Sequence, residues 1–430
     1  MSKQPGKPRA DRLATLYVCY FGIAEPLVQT QVLPYLRDLA EAGYAVYLLT
    51  FETIPLGPEG KESLRADLLS DGIVWRSLRY HKRPSLPATL YDITVGATYV
   101  ASLTLRKGIH VLHARSHVPL VMSLLARPAA RARIVFDLRG LMAEEYVEGG
   151  IWREGAAIVR LVKWCERIGF RLADQTVVLT ERMREALLSE RLVPAERMEV
   201  IPCCTDLSLY PPASELVDPP TTSGSPLQLI YAGSIVGRYQ LDEMARFFIA
   251  LHQNIPGSFF RILTSGAAQT TIDRLKDIGV PASAFSVGSA PAREMPALLS
   301  GSHVGISFVK SAAAQIAASP TKIAEYLAAG LPVVSNAGIG DMDRILTEDR
   351  VGVMVESYTP GGFQVALTRL GELLQEPGVR ARCQESARKH FGLREVGSVR
   401  YRRLYARLES LVRPTVKPPA TPASPGKTGA

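Results

Sequence analysis

The chain has 430 residues, too long for one ordinary core and comfortable for two domains of roughly 200 residues each. Its 47% hydrophobic and 21% charged residues are a globular composition, and no uninterrupted apolar run reaches the roughly 18 residues that would span a bilayer. A net charge of +9 points to anionic partners, but Lys and Arg are scattered rather than interleaved with aromatics, which argues against a nucleic-acid groove and for phosphate-bearing ligands or an anionic membrane surface.

The basic start "MSKQPGKPRADR" runs into "LATLYVCYF", whose aromatic and β-branched residues read as a strand rather than the apolar core of a signal peptide, so export is not expected. The cysteines, at 19, 165, 203, 204 and 383, form neither a C-x-x-C pair nor a set with nearby histidines. A reducing cytoplasm is the expected location, with peripheral contact at the inner face of a membrane left open. The vicinal Cys203 and Cys204 have no evident helix N-terminus or basic partner and read as buried, inert thiols.

In chain order, "LATLYVCYF", a loop "GIAEPLVQTQ", a helical stretch "VLPYLRDLAEAGY" and "AVYLLTF" make one strand–helix–strand unit, with Val28, Val32, Tyr35, Leu36 and Leu39 at helical spacing and Gly43 placed to stop the helix. The alternation continues through "GIHVLHA", "ARIVFDL", "QTVVLT" and "MEVIP", each apolar on both faces as a covered parallel sheet requires. The Pro, Ser and Thr-rich stretch 210–226 is the domain boundary. The pattern restarts with "LQLIYAG", "SFFRILTS", "AFSVGS", "HVGISF", "LPVVSN" and "VGVMVE".

The expected fold class is therefore α/β: two doubly wound, Rossmann-like parallel-sheet domains, 13–209 and 227–392, facing a central cleft. A helix over 393–411 is expected to pack back towards the first domain, and 1–12 and 412–430 to be disordered tails. Ligands of such folds sit at the carboxyl ends of the strands, so the loops there are where chemistry is expected.

The densest motif is "SPTKIAEYLAAGLPVVSNAGIGDMD", Ser319 to Asp343. Ser319 is placed to cap a helix starting at Pro320, and Gly330 with Pro332 ends it. Thr321, Lys322 and Glu325 share one face, while Ile323 and Leu327 take another towards the core. A helix N-terminus with a lysine suits a phosphate or diphosphate, Glu325 can accept from a ribose, and the small residues of "NAGIGD" let backbone N–H groups approach an anion. Spacing alone reads Lys322 and Glu325 equally well as a surface ion pair. A second phosphate cradle is "AGSIVGRY", with Gly233, Ser234 and Arg238; it lacks both dinucleotide and P-loop spacing.

In the first domain "HARSH", His113 to His117, and "DLRG", Asp137 to Gly140, each follow a strand and are expected to project charge into the cleft, to orient sugar hydroxyls or offset charge on a leaving phosphate. Structural alternatives are a direct Asp137–Arg139 pair and a satisfied core histidine at His113. The adjacent glutamates of "GLMAEEYVEGG" read as a solvated loop, and no metal site is expected.

These motifs, with "VIPCCTDLSLY", "AEAGYAVYLLT" and "VLHARSHVPLVMSLLA", resemble the GT-B-fold retaining glycosyltransferases of the family four (group 1) type from about residue 13 to 411. The resemblance implies transfer of a sugar from a UDP- or GDP-linked donor to a glycan or lipid-linked acceptor in bacterial surface polysaccharide or glycoconjugate synthesis, without a cofactor or metal. The family's ribose-binding glutamate falls on Glu325, after donor-loop positions Ser319, Pro320, Thr321 and Lys322. A glutamate common eight residues earlier is Ala317 here, and the family's diphosphate-binding arginine and lysine fall on Ser234 and Tyr239, leaving Arg238, Lys322 or Lys310 to substitute beside Gly233. The family's active-site histidine falls on Arg139, two residues after Asp137; with His117 these are the expected catalytic positions, and Gly22 and Arg115 the acceptor-side loop. Such enzymes are thought to let the acceptor hydroxyl attack the face the nucleotide leaves, the departing phosphate taking the proton. Two alternatives are a non-catalytic nucleotide-sugar-binding scaffold and a GT-B sugar-nucleotide epimerase.

Overall fold

The computed structural model describes residues 13–54, 57–216, 225–235, 237–266 and 268–412. The first sheet contains β1 (Ala14–Cys19), β2 (Ala45–Glu52), β3 (Ile73–Arg79), β4 (Val111–Arg115), β5 (Arg133–Asp137), β6 (Gln175–Val178) and β7 (Met198–Val200), in the order β3-β2-β1-β4-β5-β6-β7. The second contains β8 (Gln228–Ala232), β9 (Phe259–Leu263), β10 (Phe285–Gly288), β11 (Val304–Ser307), β12 (Val333–Asn336) and β13 (Gly352–Val355), in the order β10-β9-β8-β11-β12-β13. All pairings are parallel. Both orders reverse beside the first strand of the sheet, which opens a crevice at the carboxyl ends of β1 and β4 and of β8 and β11.

The inner strands β1, β4, β6, β11 and β12 are buried along their whole length, as expected where helices cover both faces, and so is the short edge strand β7. The sequence expectations omit β3. Its "IVWRSLR" alternates like a half-exposed edge strand and lacks the apolar run that marks the inner ones. The helical repeat from Val28 to Leu39 is two helices, Pro26–Gln31 and Leu33–Glu41, broken at Val32 with φ of −128°. Pro34 has no N–H to give, and its ring crowds the carbonyl four residues earlier.

The chain crosses between domains twice, side by side. Thr205 donates its N–H to Phe391 O at 2.8 Å and accepts from Leu393 N at 2.9 Å. Beyond that crossing, a π-helical turn Leu393–Ser398 leads into the helix Val399–Val412, which lies on the first domain. Tyr401, Leu404, Tyr405 and Leu408 join the core formed by β1, β2 and the helix Leu33–Glu41. Arg402 pairs with Asp38, Arg403 and Arg407 with Glu199, and Arg400 donates to Val200 O at 2.6 Å. Residues 1–12, 217–224 of the expected linker and 413–430 lie outside the described residues. Among those described, no helix is long and apolar enough to cross a membrane.

Leu404 is fully buried. Leu404→Ala is expected to lower unfolding free energy by about 2–5 kcal/mol, measured by urea denaturation, because the returning helix completes the first domain's core; a loss well under 1 kcal/mol would show that the helix is only loosely applied.

Candidate functional site

The helix carrying the lysine runs from Thr321 to Ala328, one residue later than expected. Ser319 does not cap it. Its hydroxyl accepts instead from Cys203 N at 3.1 Å, across the domain boundary, and Pro320 occupies the cap position without a side-chain bond. The sequence could not show this, because the competing donor lies 116 residues away.

Lys322 is buried, which removes the surface-pair reading. Its Nζ donates to the Tyr231 hydroxyl at 2.8 Å and stands 4.2 Å and 3.5 Å from the ring centroids of Tyr231 and Tyr239. This aromatic cage is a cation-binding geometry that stabilises the ammonium without a carboxylate. Tyr231 hands the hydrogen bond on to Ser234 O. Gly233 has φ of +134°, and a Cβ there would lie 3.1 Å from the Lys322 Nζ. The glycine therefore brings the backbone after β8 directly against the lysine. Sequence reasoning missed both tyrosines as functional groups; Tyr239 stands where the family lysine is expected and supplies a ring over Lys322 instead.

Glu325 lies one turn further along the helix. Burial lifts its carboxyl to about 7, partly opposed by Lys322. Burial, then the nearby Arg238, lowers the Lys322 ammonium well below the ordinary lysine value, while Glu325 opposes that shift. Each charge supports the other, and desolvation outweighs both contributions. Arg238 is exposed and faces Glu145 at 3.7 Å, while its carbonyl accepts from Lys310 N at 2.7 Å. Gly233, Ser234, Arg238, Lys310, Thr321, Lys322 and Glu325 thus border one region at the ends of β8 and β11.

The loop "NAGIGD" is less open to an anion than its glycines imply. Gly338 N donates to the Asp343 carboxylate at 2.9 Å and Gly340 N to Gln315 O at 2.8 Å. Gly340 is required by crowding: at φ of +47°, a Cβ would meet Ala318 O at 2.1 Å and Thr180 Cγ2 at 2.9 Å. Here the domains touch. Asp341 accepts from the N–H groups of Glu181 at 2.8 Å and Arg182 at 3.2 Å, binding the N-terminus of the helix Glu181–Ser189 from across the cleft. Thr180 donates to Ile316 O at 2.5 Å, and Ala314 N donates to Glu148 at 2.9 Å. Ala314 and Ala317 pack into the first domain's core.

On that side the expected projection of charge into the cleft needs correction. Asp137 is fully buried and accepts from the Tyr17 hydroxyl at 3.1 Å and from Arg139 at 3.3 Å. Arg115, expected in an acceptor-side loop, ends β4 and is buried 3.6 Å from the same carboxylate. His113 Nε2 stands 3.7 Å away, and its Nδ1 meets the Tyr405 hydroxyl at 3.0 Å. Burial would raise the Asp137 carboxyl, but the Arg139 guanidinium, with His113 and Arg115 close by, holds it far below its ordinary value. Arg139 also donates to the Cys203 sulfur at 3.4 Å, so that thiol does have a basic partner. His117 is buried against Glu166 at 2.9 Å. Gly22 packs against Glu52, whose carboxylate accepts from Ile23 N at 3.1 Å. The adjacent glutamates form a helix, Met142–Glu148, rather than a solvated loop: Glu144 pairs with Lys163, Glu145 faces Arg238 and Glu148 holds Ala314.

A raised Glu325 pKa means that the folded state binds a proton that the unfolded state releases, so this group's stabilisation is fully present below about 4.5 and is lost as pH rises towards about 7. The melting-temperature difference between Glu325→Gln and wild type is expected to grow more positive from pH 5 to pH 8; parallel profiles would sink the assignment.

The sequence profile of the glycosyl transferase 4-like domain family matches residues 28–204. No curated protein matches the chain. Among solved structures, sucrose-phosphate synthase from Thermosynechococcus elongatus superposes with a TM-score of 0.68 at 16% identity, covering 93% of this chain and 100% of that one. A glycosyltransferase from Rickettsia africae gives 0.67 at 13% identity, covering 94% and 99%. Anabaena HepE, solved in complex with UDP and glucose, gives 0.61 at 14% identity, covering 92% and 100%. The shared architecture is the GT-B fold, two parallel-sheet α/β domains about a cleft.

Proposed function

We propose that this chain, a GT-B-fold glycosyltransferase whose residues 28–204 form a glycosyl transferase 4-like domain, moves a sugar from a UDP- or GDP-linked donor to a glycan or lipid-linked acceptor, with retention of anomeric configuration. The observation that carries the donor half is the caged cation: Lys322, buried between Tyr231 and Tyr239 beneath the Gly233 backbone, one turn before Glu325. A diphosphate entering there meets a fixed positive group and the free N–H groups at the start of the helix Thr321–Ala328. Glu325 accepts from the ribose hydroxyls. Arg238 and Lys310, on the neighbouring loops, supply the further positive charge that allows departure of the nucleotide without a metal.

Retention fits a site in which alignment, closure and charge do the work, because the groups nearest the cleft in the first domain are engaged with one another. Asp137 is held by Arg139 and Arg115, and Glu166 by His117, so neither carboxylate stands as a free nucleophile. The departing phosphate then takes the acceptor proton on the face it leaves. The same engagement favours one second reading, a nucleotide-sugar-binding protein without transferase activity. The setting we propose for the transferase is cytoplasmic, in synthesis of bacterial surface polysaccharide or glycoconjugates.

A thermal-shift panel of UDP, GDP and their sugar conjugates tests the donor pocket, since a ligand bound only by the folded state stabilises it with the logarithm of concentration over Kd. One nucleotide series is expected to raise the melting temperature, and Lys322→Ala to abolish that rise. With the matching donor and acceptor, Lys322→Ala and Glu325→Ala are each expected to cut sugar transfer at least about a hundredfold, in line with loss of a charged transition-state contact. No shift with any nucleotide overturns the donor pocket; a shift without transfer to any acceptor supports the binding-protein reading.

A further inference from the structure

Three helices, Ser85–Lys107, His117–Ala130 and Ala157–Leu172, lie side by side over one face of the first sheet. Their outer surfaces leave large apolar side chains in solvent: Leu90, Tyr91 and Leu105 on the first, Leu125 on the second, Leu161 and Trp164 on the third. Trp164 is 59% exposed and Leu105 63%. Other elements of the first domain also expose Phe21, Ile54, Leu69 and Ile151, on loops and a different helix, whereas the described residues from 227 to 392 expose one such side chain, Val365. A concentration of this kind on one face of one domain marks a contact surface rather than the ordinary scatter of surface leucines.

The charge on the same helices is of one sign. They carry Arg106, Lys107, Arg127, Arg160, Lys163, Arg167 and Arg171. Their two acids are turned inward: Asp92 is buried against His81 at 2.6 Å and Tyr20 at 2.7 Å, and Glu166 against His117. Lys163 is tied to Glu144 at 2.7 Å and Arg127 to Asp174 at 3.4 Å; both acids lie outside these helices. Arg160, Arg167 and Arg171 are exposed beside Leu161 and Trp164. Where the first two of these helices end, Leu105, Arg127, Arg131 and Arg133 line a cavity of about 750 Å³.

We propose that this helical face docks on an anionic phospholipid bilayer, its leucines and Trp164 entering the headgroup boundary and its arginines meeting lipid phosphates. An apolar face with cations and no exposed acid, bearing an interfacial tryptophan, is the complement of such a surface. A second copy fits poorly, because an isologous dimer would set the arginines of one face against those of the other. The chain's own ends fit no better: residues 413–430 contain no acid and 1–12 a single one, Asp11. The proposal does not rest on sugar transfer.

Sedimentation of the full chain with phosphatidylcholine vesicles, with and without one-quarter phosphatidylglycerol, tests this. Anionic vesicles are expected to bind at least about tenfold more tightly than neutral ones and to release the protein in high salt. The exposed-site variants Trp164→Glu and the double variant Arg160→Glu with Arg167→Glu are expected to lower the partition coefficient at least about tenfold, with unchanged melting temperature and nucleotide-induced shift. Val365→Glu, on the other domain, is expected to leave it unchanged. The proposal is overturned if wild type ignores anionic vesicles, if the helix variants bind as wild type does, if Val365→Glu weakens binding equally, or if the helix variants instead dissociate a stable dimer.

Discussion

An ionised carboxylate with no solvent access is the constraint around which the first domain is arranged. Asp137 ends β5 at zero exposure, where an unpaired charge would cost several kcal/mol. Its compensation comes from four directions: Arg115 from β4, Tyr17 from β1, Arg139 from its own loop, and the Tyr401 hydroxyl, 3.5 Å away, from the helix at the end of the chain. The last of these gives the returning helix a polar contact beside its apolar ones in the first domain's core. The network also has an outlet. Arg139 reaches the Cys203 sulfur, Cys203 N reaches Ser319, and Ser319 stands just before the helix that carries Lys322. The charge centre of one domain and the donor helix of the other are thus linked by consecutive polar contacts along the double crossing.

The contacts that hold the cleft shut differ from those at the crossing. At Thr205 and Gly392 the two passing strands of chain bond as in a sheet, which fixes an axis. Across the mouth, closure depends on a few groups: the Asp341 carboxylate on two backbone N–H groups, Thr180 on Ile316 O, and Glu148 on Ala314 N. Single hydrogen bonds of this kind are worth about 0.5–1.5 kcal/mol each, somewhat more where a carboxylate takes part, so they can be exchanged with water at little net cost. Opening by rotation about the crossing would exchange these bonds with water and withdraw Ala314 and Ala317 from the first domain's core. The same contact accounts for Ala317. It packs into the first domain's core, and a glutamate at that position would bury a charge in this arrangement.

The fold was largely legible because its signals are local. Apolar runs marked every inner strand, and the restart after the Pro-rich stretch marked the second sheet; the edge strand β3 and the break at Val32 lay where those signals weaken. The site was legible only in outline. Lys322 and Glu325 could be named from helix spacing, but the partners that decide their state, Tyr231 and Tyr239, arrive from a strand and loop about ninety residues earlier. Ser319 shows the same limit: local rules favour capping, while the distant Cys203 N–H takes its hydroxyl. Asp137 and Arg115 end strands rather than follow them, and His113 lies within one; Tyr401 and Tyr405, which cover Asp137 and His113, come from the far end of the chain. Strand ends can be read from sequence; what covers them cannot.

The electrostatics of the lysine and glutamate bear on what the pocket is for. Each is shifted towards its neutral form, Glu325 upward and Lys322 downward, because burial costs more than their mutual attraction returns. A pair kept for stability would gain from closer pairing, and replacing it with apolar groups would often stabilise the fold. The side chains do not take that course: the Lys322 Nζ turns to a phenol and two aromatic rings rather than to the Glu325 carboxylate. Two groups held apart at such cost are complementary to something that carries an anion at one end and hydroxyl donors at the other. A nucleoside diphosphate has that polarity, with its phosphates one helical turn from its ribose, and its arrival would favour the charged form of Lys322 and bring hydroxyl donors to Glu325.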